Sequence, residues 1–140
     1  MARTSTTGYR RQYGSNGKNA TPAVFSSCIQ LTQDPTAASA DTGKVLPKGA
    51  IPIWVANLNG GATGGASPTV DIGTQADPDG LSNEIAADTV TGPIVTGALL
   101  GVTLTEDTPI YAGVGASAAT GGSVLIGVYY IMEDDGKQGD

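Results

Sequence analysis

A chain of 140 residues is long enough for one domain with its own core and too short for two. Charged residues make up only 14% of it, glycines number 21, and there is one cysteine and no histidine; this excludes a Leu/Glu/Lys-rich helical bundle, an intrachain disulfide and any nucleophile–histidine pair. The net charge of −6 is unevenly spread: residues 1–33 carry four cations and no acid, whereas from residue 49 onward eleven acids face the single Lys137.

The first predicted element is a basic arm, residues 1–22, bearing Arg3, Tyr9, Arg10, Arg11, Tyr13 and Lys18 among Gly, Ser, Thr and Asn. With almost no aliphatic surface to bury, such a segment cannot offset its ordering entropy alone, so it is expected to be extended and to order on contact. Arg and Tyr are enriched at protein interfaces, which makes these six residues the candidate partner-binding set. Arg10-Arg11 between two tyrosines could also grip nucleic acid. A body of about −10 opposes that partner, so protein docking is favoured, with a merely solvated tail as the plain alternative. The arginines have no hydrophobic run behind them, as a secretory signal would, and no apolar stretch approaches the length of a membrane span. A soluble, cytosol-made chain is the expectation.

The body is expected over residues 23–132. Residues 23–32 alternate Phe25, Ile29 and Leu31 with smaller or polar residues, a first strand in which Cys28 is expected to pack as a small buried hydrophobe. Residues 34–43 read as a turn-rich connection punctuated by Pro35 and Gly43. In residues 50–57, Ile51, Ile53 and Val55 fall on one face at period two, with Pro52, Trp54 and Ala56 on the other. Pro52 cannot donate to a ladder, which predicts a sheet edge or the first residues of a strand. Trp54, the one tryptophan, belongs either in a second core, its commoner fate, or at an intersubunit contact.

Residues 58–67 read as a glycine-rich loop too flexible for a strand. The loop lacks the Lys-Ser/Thr that completes a phosphate-binding P-loop. A short strand over 68–73 points Val70 and Ile72 inward, and residues 77–80 are a turn. Residues 81–89 are the most helix-like stretch, read as a loop or a single helical turn. Further strands are expected over 93–96, 98–105, 109–114 and 123–132. The last is apolar on both faces, as a central strand covered on both sides would be. Residues 133–140 form an acidic tail expected to fray. The fold class is therefore all-β: a β-sandwich of jelly-roll type with an extended N-terminal arm.

Little in the chain carries chemistry. A two-carboxylate hydrolase would draw its candidates from Asp71, Asp77, Asp79, Glu84 and Asp88, but aromatic platforms for a sugar are scarce, so no enzyme is expected. Asp77-Pro78-Asp79-Gly80 with Glu84 is faintly like a calcium loop. It lacks a third ligand two residues on and a closing glutamate, and Pro-Asp-Gly is a common turn. No metal and no cofactor are expected.

The run Lys48-Gly49-Ala50-Ile51-Pro52-Ile53-Trp54-Val55 and the glycine-rich loop after it resemble parts of small structural proteins of tailed bacteriophages. So do Ser67-Pro68-Thr69-Val70-Asp71-Ile72-Gly73-Thr74, Asp79-Gly80-Leu81, Ala87-Asp88 and the closing Gly121-Gly122-Ser123-Val124-Leu125-Ile126-Gly127-Val128-Tyr129-Tyr130. The likeness spans roughly residues 45–131 and leaves residues 1–40 outside. The resemblance implies a capsid decoration (cement) protein. Such a protein would be made in the host bacterial cytoplasm, reside on the capsid exterior and bridge neighbouring subunits of the phage major capsid protein. It further implies a homotrimer, with no direct nucleic-acid or membrane partner. The competing readings are a tail- or fibre-associated glycan-binding module and a neck or connector protein.

Overall fold

The computed structural model describes residues 24–133. The arm assigned to residues 1–22 and the tail beyond Glu133 lie outside the described residues. Ser26–Ile131 form one compact unit, and Val24, Phe25, Met132 and Glu133 fall outside it.

Among the described residues there are ten β-strands and no helix. They are β1 (Val24–Gln33), β2 (Ala40–Leu46), β3 (Ile51–Asn57), β4 (Ala62–Thr63) and β5 (Thr69–Gly73), then β6 (Ser82–Ala86), β7 (Thr91–Ile94), β8 (Thr108–Val114), β9 (Gly121–Gly122) and β10 (Val124–Glu133). One four-stranded sheet has the order β1-β10-β3-β7, a second the order β2-β8-β5-β6, and β4 pairs with β9 in a small ribbon. The pairs β10–β3, β3–β7, β2–β8, β8–β5, β5–β6 and β4–β9 are all antiparallel.

Period-two patterning explains what lies between the sheets. Leu31, Val55, Val124, Ile126 and Val128 come from the first sheet, Leu46, Val70, Ile72, Ile85, Ile110 and Ala112 from the second, and together they form one buried core. Each fully buried branched side chain contributes on the order of 2 kcal/mol of apolar transfer. The result is the expected all-β sandwich, with Val70 and Ile72 inward as the alternation predicts. β10 is indeed central, flanked by β1 and β3.

Several local expectations are corrected, and each has a backbone cause. Residues 81–89 are not helical but contain β6, which carries a bulge opposite Val70–Ile72. The extra residue buries Ser82 and Ile85 three positions apart, a spacing that imitates a helix face. β2 occupies residues taken as a connection: its pairing with β8 slips between Asp41 and Val45, where Gly43 has φ +80°. Residues 98–105 contain no strand; the chain turns there and then bonds irregularly alongside the start of β3. Of the two places expected for Pro52, the structure shows the strand entry and not the edge, because β3 lies between β10 and β7. Pro52 sits one residue into β3, where the register against β10 shifts between Tyr129 and Tyr130. That shift also breaks the expected face of Ile51, Ile53 and Val55: the buried residues of β3 are Pro52, Val55 and Asn57.

Candidate partner-binding surfaces

The outer face of the first sheet gathers aromatic and apolar groups over its two central strands. Trp54 of β3 and Tyr129 of β10 are register partners, with ring centroids 5.4 Å apart and planes inclined at 42°. Both are half-buried. Beneath them β10 has Gly127, where a Cβ would stand 3.0 Å from the Tyr129 ring, 3.2 Å from Cys28 Sγ and 3.2 Å from Leu58 Cδ1. The missing side chain lets these three groups close over the strand. A hydrogen bond with Cys28, reinforced by the charge Cys28 can carry and by burial, pushes ionisation of the Tyr129 hydroxyl above the ordinary tyrosine range.

Strand parity puts both Cys28 and Trp54 on this face: for Cys28 it overturns the expected burial, while Trp54 lies opposite Val55 as the alternation predicts. Cys28 is exposed rather than buried, because Ile29 and Leu31 take the inward positions of β1 and Cys28 falls on the opposite face. Trp54 is outside the core, because its neighbour Val55 points inward. Sequence reading missed Tyr129 as the partner of Trp54; the only signal was an aromatic residue on the outer face of the last strand.

The glycine-rich segment is ordered, correcting the flexible loop expected over residues 58–67. Asn57 is fully buried; its Nδ2 donates to the carbonyls of Ala86 (2.8 Å) and Ala87 (3.2 Å), and its Oδ1 accepts from the N–H groups of Asn59 (3.2 Å) and Gly60 (2.9 Å). Asn59 reaches the other way: Nδ2 donates to Ser123 O, while Oδ1 accepts from Gly61 N–H and Leu125 N–H. β4 then pairs with β9, Ala62 opposite Gly122 and Thr63 opposite Gly121. A run that composition marks as mobile is fastened by two asparagines whose role has no signature in the sequence.

The acidic residues are held by turns rather than arranged around a ligand. Asp71 Oδ1 accepts the Glu84 N–H at 2.7 Å across β5 and β6, with Glu84 at φ +53° in the bulge. Burial foremost, then the nearby charges of Asp79 and Glu84, raises the Asp71 carboxyl above the ordinary carboxylate range against the lowering pull of that hydrogen bond. Residues 77–80 form the turn expected, closed by Gly80 N–H donating to Asp77 O at 3.0 Å. The Asp77 carboxyl is likewise raised, by burial first and then by its hydrogen bond and charge contact with Asp79. Asp88 accepts from the Thr89 hydroxyl. Among the described residues no group of three or more His, Cys, Asp or Glu is placed to hold a metal ion.

Of the candidate residues, Arg3, Tyr9, Arg10, Arg11, Tyr13 and Lys18 lie outside the described residues, and Trp54 is the one whose surroundings are defined. No family model matches the chain, and no curated protein matches its sequence. A solved structure is similar along almost its whole length: a chain of the cyanophage Pam1 capsid asymmetric unit. It aligns with a TM-score of 0.52 and 21% identity, covering 94% of this chain and 94% of that one, so the two share a fold.

Proposed function

We propose that this chain is a structural protein of a tailed-phage head, of the decoration or cement type. It sits on the capsid exterior and bridges neighbouring major capsid protein subunits. The observation that carries the reading is the end-to-end likeness to a chain of a cyanophage capsid asymmetric unit. The strand order supports it. With β4 and β9 set aside, the first and last strands neighbour each other in one sheet, the second and next-to-last in the other, the wrapping of a jelly roll used by viral capsid domains.

The task on this reading needs no catalytic group. A rigid block presenting several modest contacts to adjacent subunits gains through effective concentration, and binding only the assembled shell stabilises that shell. The arm, with Arg3, Tyr9, Arg10, Arg11, Tyr13 and Lys18, supplies the grip by ordering on contact, and copies associate with one another as a homotrimer. Quantitative mass spectrometry of purified virions is the test. Hundreds of copies per particle fit decoration; about a dozen or fewer would move the chain to the neck or tail. Deleting residues 1–20 should leave a body that melts as before but decorates capsids poorly. Undiminished occupancy would remove the arm from the docking mechanism.

A further inference from the structure

Residues 89–105 are 17 consecutive positions without Asp, Glu, Lys or Arg, bounded by Asp88 and Glu106. The fold lays this segment along one edge of the first sheet. β7 pairs with β3 through Asn57–Thr91 and Val55–Ile94. The chain then turns and returns to the same flank of β3, the flank β10 does not occupy. There Gly101 N–H donates to Pro52 O at 2.7 Å and Leu104 N–H to Ala50 O at 2.9 Å. The edge therefore runs the length of β3 in two pieces, and hydrophobic side chains flank both. Val90 and Val95 bracket β7 with 67% and 63% of their surface exposed, and Val102 follows Gly101 with 46% exposed. Soluble proteins usually blunt such an edge with lysines or other charges. Here no charge does so; the interruptions are Pro93 and the shift in register between Val55 and Asn57.

We propose that this edge docks against the same edge of a second copy of this chain, burying Val90, Val95 and Val102. Charge selects the occupant. From residue 49 onward the chain carries eleven acids against one lysine, so copies meeting through most other surfaces would bring like charges together. A strip of 17 uncharged residues is where identical acidic bodies can touch without that penalty. A basic partner, by contrast, would find nothing to pair with there. An antiparallel edge strand such as β7 is also self-complementary: turned about a twofold axis, it meets its own copy in the antiparallel sense.

The inference is independent of the capsid reading and is tested on the full chain in solution. Sedimentation velocity should show concentration-dependent self-association of the parent protein. Val95→Asp and Val102→Asp should each weaken it about 100-fold by burying an unpaired charge. Val45→Asp, at a comparably exposed valine on β2 of the other sheet, should leave it unchanged. Amide hydrogen exchange over Thr91–Ile94 and residues 101–104 of the parent chain should slow as concentration rises, a readout that does not depend on any variant folding. A chain that stays monomeric with concentration-independent exchange overturns the proposal. So does twofold association, beyond any trimer, that survives both aspartates, or that Val45→Asp abolishes equally. Protection of the edge only when capsids are added would assign it to capsid docking instead and equally overturn the self-contact.

Discussion

Asn57 shows how much one side chain can hold. It ends β3 in the first sheet, yet donates to the carbonyls of Ala86 and Ala87 at the end of β6 in the second, and it accepts from two amides of the glycine-rich loop. Replacing it with alanine strands buried backbone groups that water cannot easily reach. Asn57→Ala should cost about 3 kcal/mol in denaturant unfolding and lower Tm by roughly 10 °C. Asp71 makes a prediction of opposite sign. Its folded carboxyl keeps its proton to higher pH than the unfolded chain does, so stability falls as pH rises from the ordinary carboxylate range through the raised folded value. Asp71→Asn retains an oxygen for the Glu84 N–H and has no proton to lose. Its melting temperature should therefore gain on the parent's as pH rises from 3 to 7, and a constant gap across a pH series would contradict the shift. At Trp54, Tyr129→Ala should move the emission to the red and increase acrylamide quenching, since the ring packed on the indole is removed. The parity that exposes Cys28 and turns Trp54 outward was already written in the alternation of Ile29 with Leu31 and in Val55. For Trp54 that parity sets the outward face correctly; for Cys28 the habit of assigning cysteine to cores by residue type outweighed it.

At the scale of elements, the glycine-rich run and its partner show why composition misleads. Gly122 has φ +96°, and a Cβ there would strike the Gly61 carbonyl oxygen. The second constraint comes from a segment far away in sequence, invisible to a local reading. Gly122→Ala should cost about 2 kcal/mol and speed amide exchange across β4, with little effect on the exchange of β5. Strands whose two faces differ, such as β5, were legible, because Val70 and Ile72 alternate cleanly with Thr69 and Asp71. β2 and β6 were not, because each bulge inserts a residue and resets the period on which recognition depends. Residues 98–105 erred the other way: aliphatic enough for a strand, they turn instead, and Leu99, Leu100 and Leu104 pack on the core from outside the regular sheet.

For the whole molecule, the class of fold followed from many glycine-punctuated apolar runs and few charges, and the two-sheet core bears that out. Ile126 of β10 is fully buried in that core, so Ile126→Ala should cost about 3 kcal/mol by transfer and cavity formation together, measurable by the denaturant midpoint. The outer surfaces were far less legible. That an uncharged stretch would lie along a sheet edge depends on which strand β3 receives as its second neighbour, and pairing between distant segments leaves no local trace. The order β1-β10-β3 also bears on how the chain is made. A ribosome delivers β1 and β3 early, but the strand that belongs between them is the last of the ten to emerge. Until residues 124–133 leave the exit tunnel, β1 has no neighbour in its sheet and β3 lacks one flank. The nascent chain therefore cannot lock its fold progressively. It must hold its first strands open and close the sandwich in one late insertion, so synthesis that stops short of β10 leaves two exposed edges instead of a smaller stable domain.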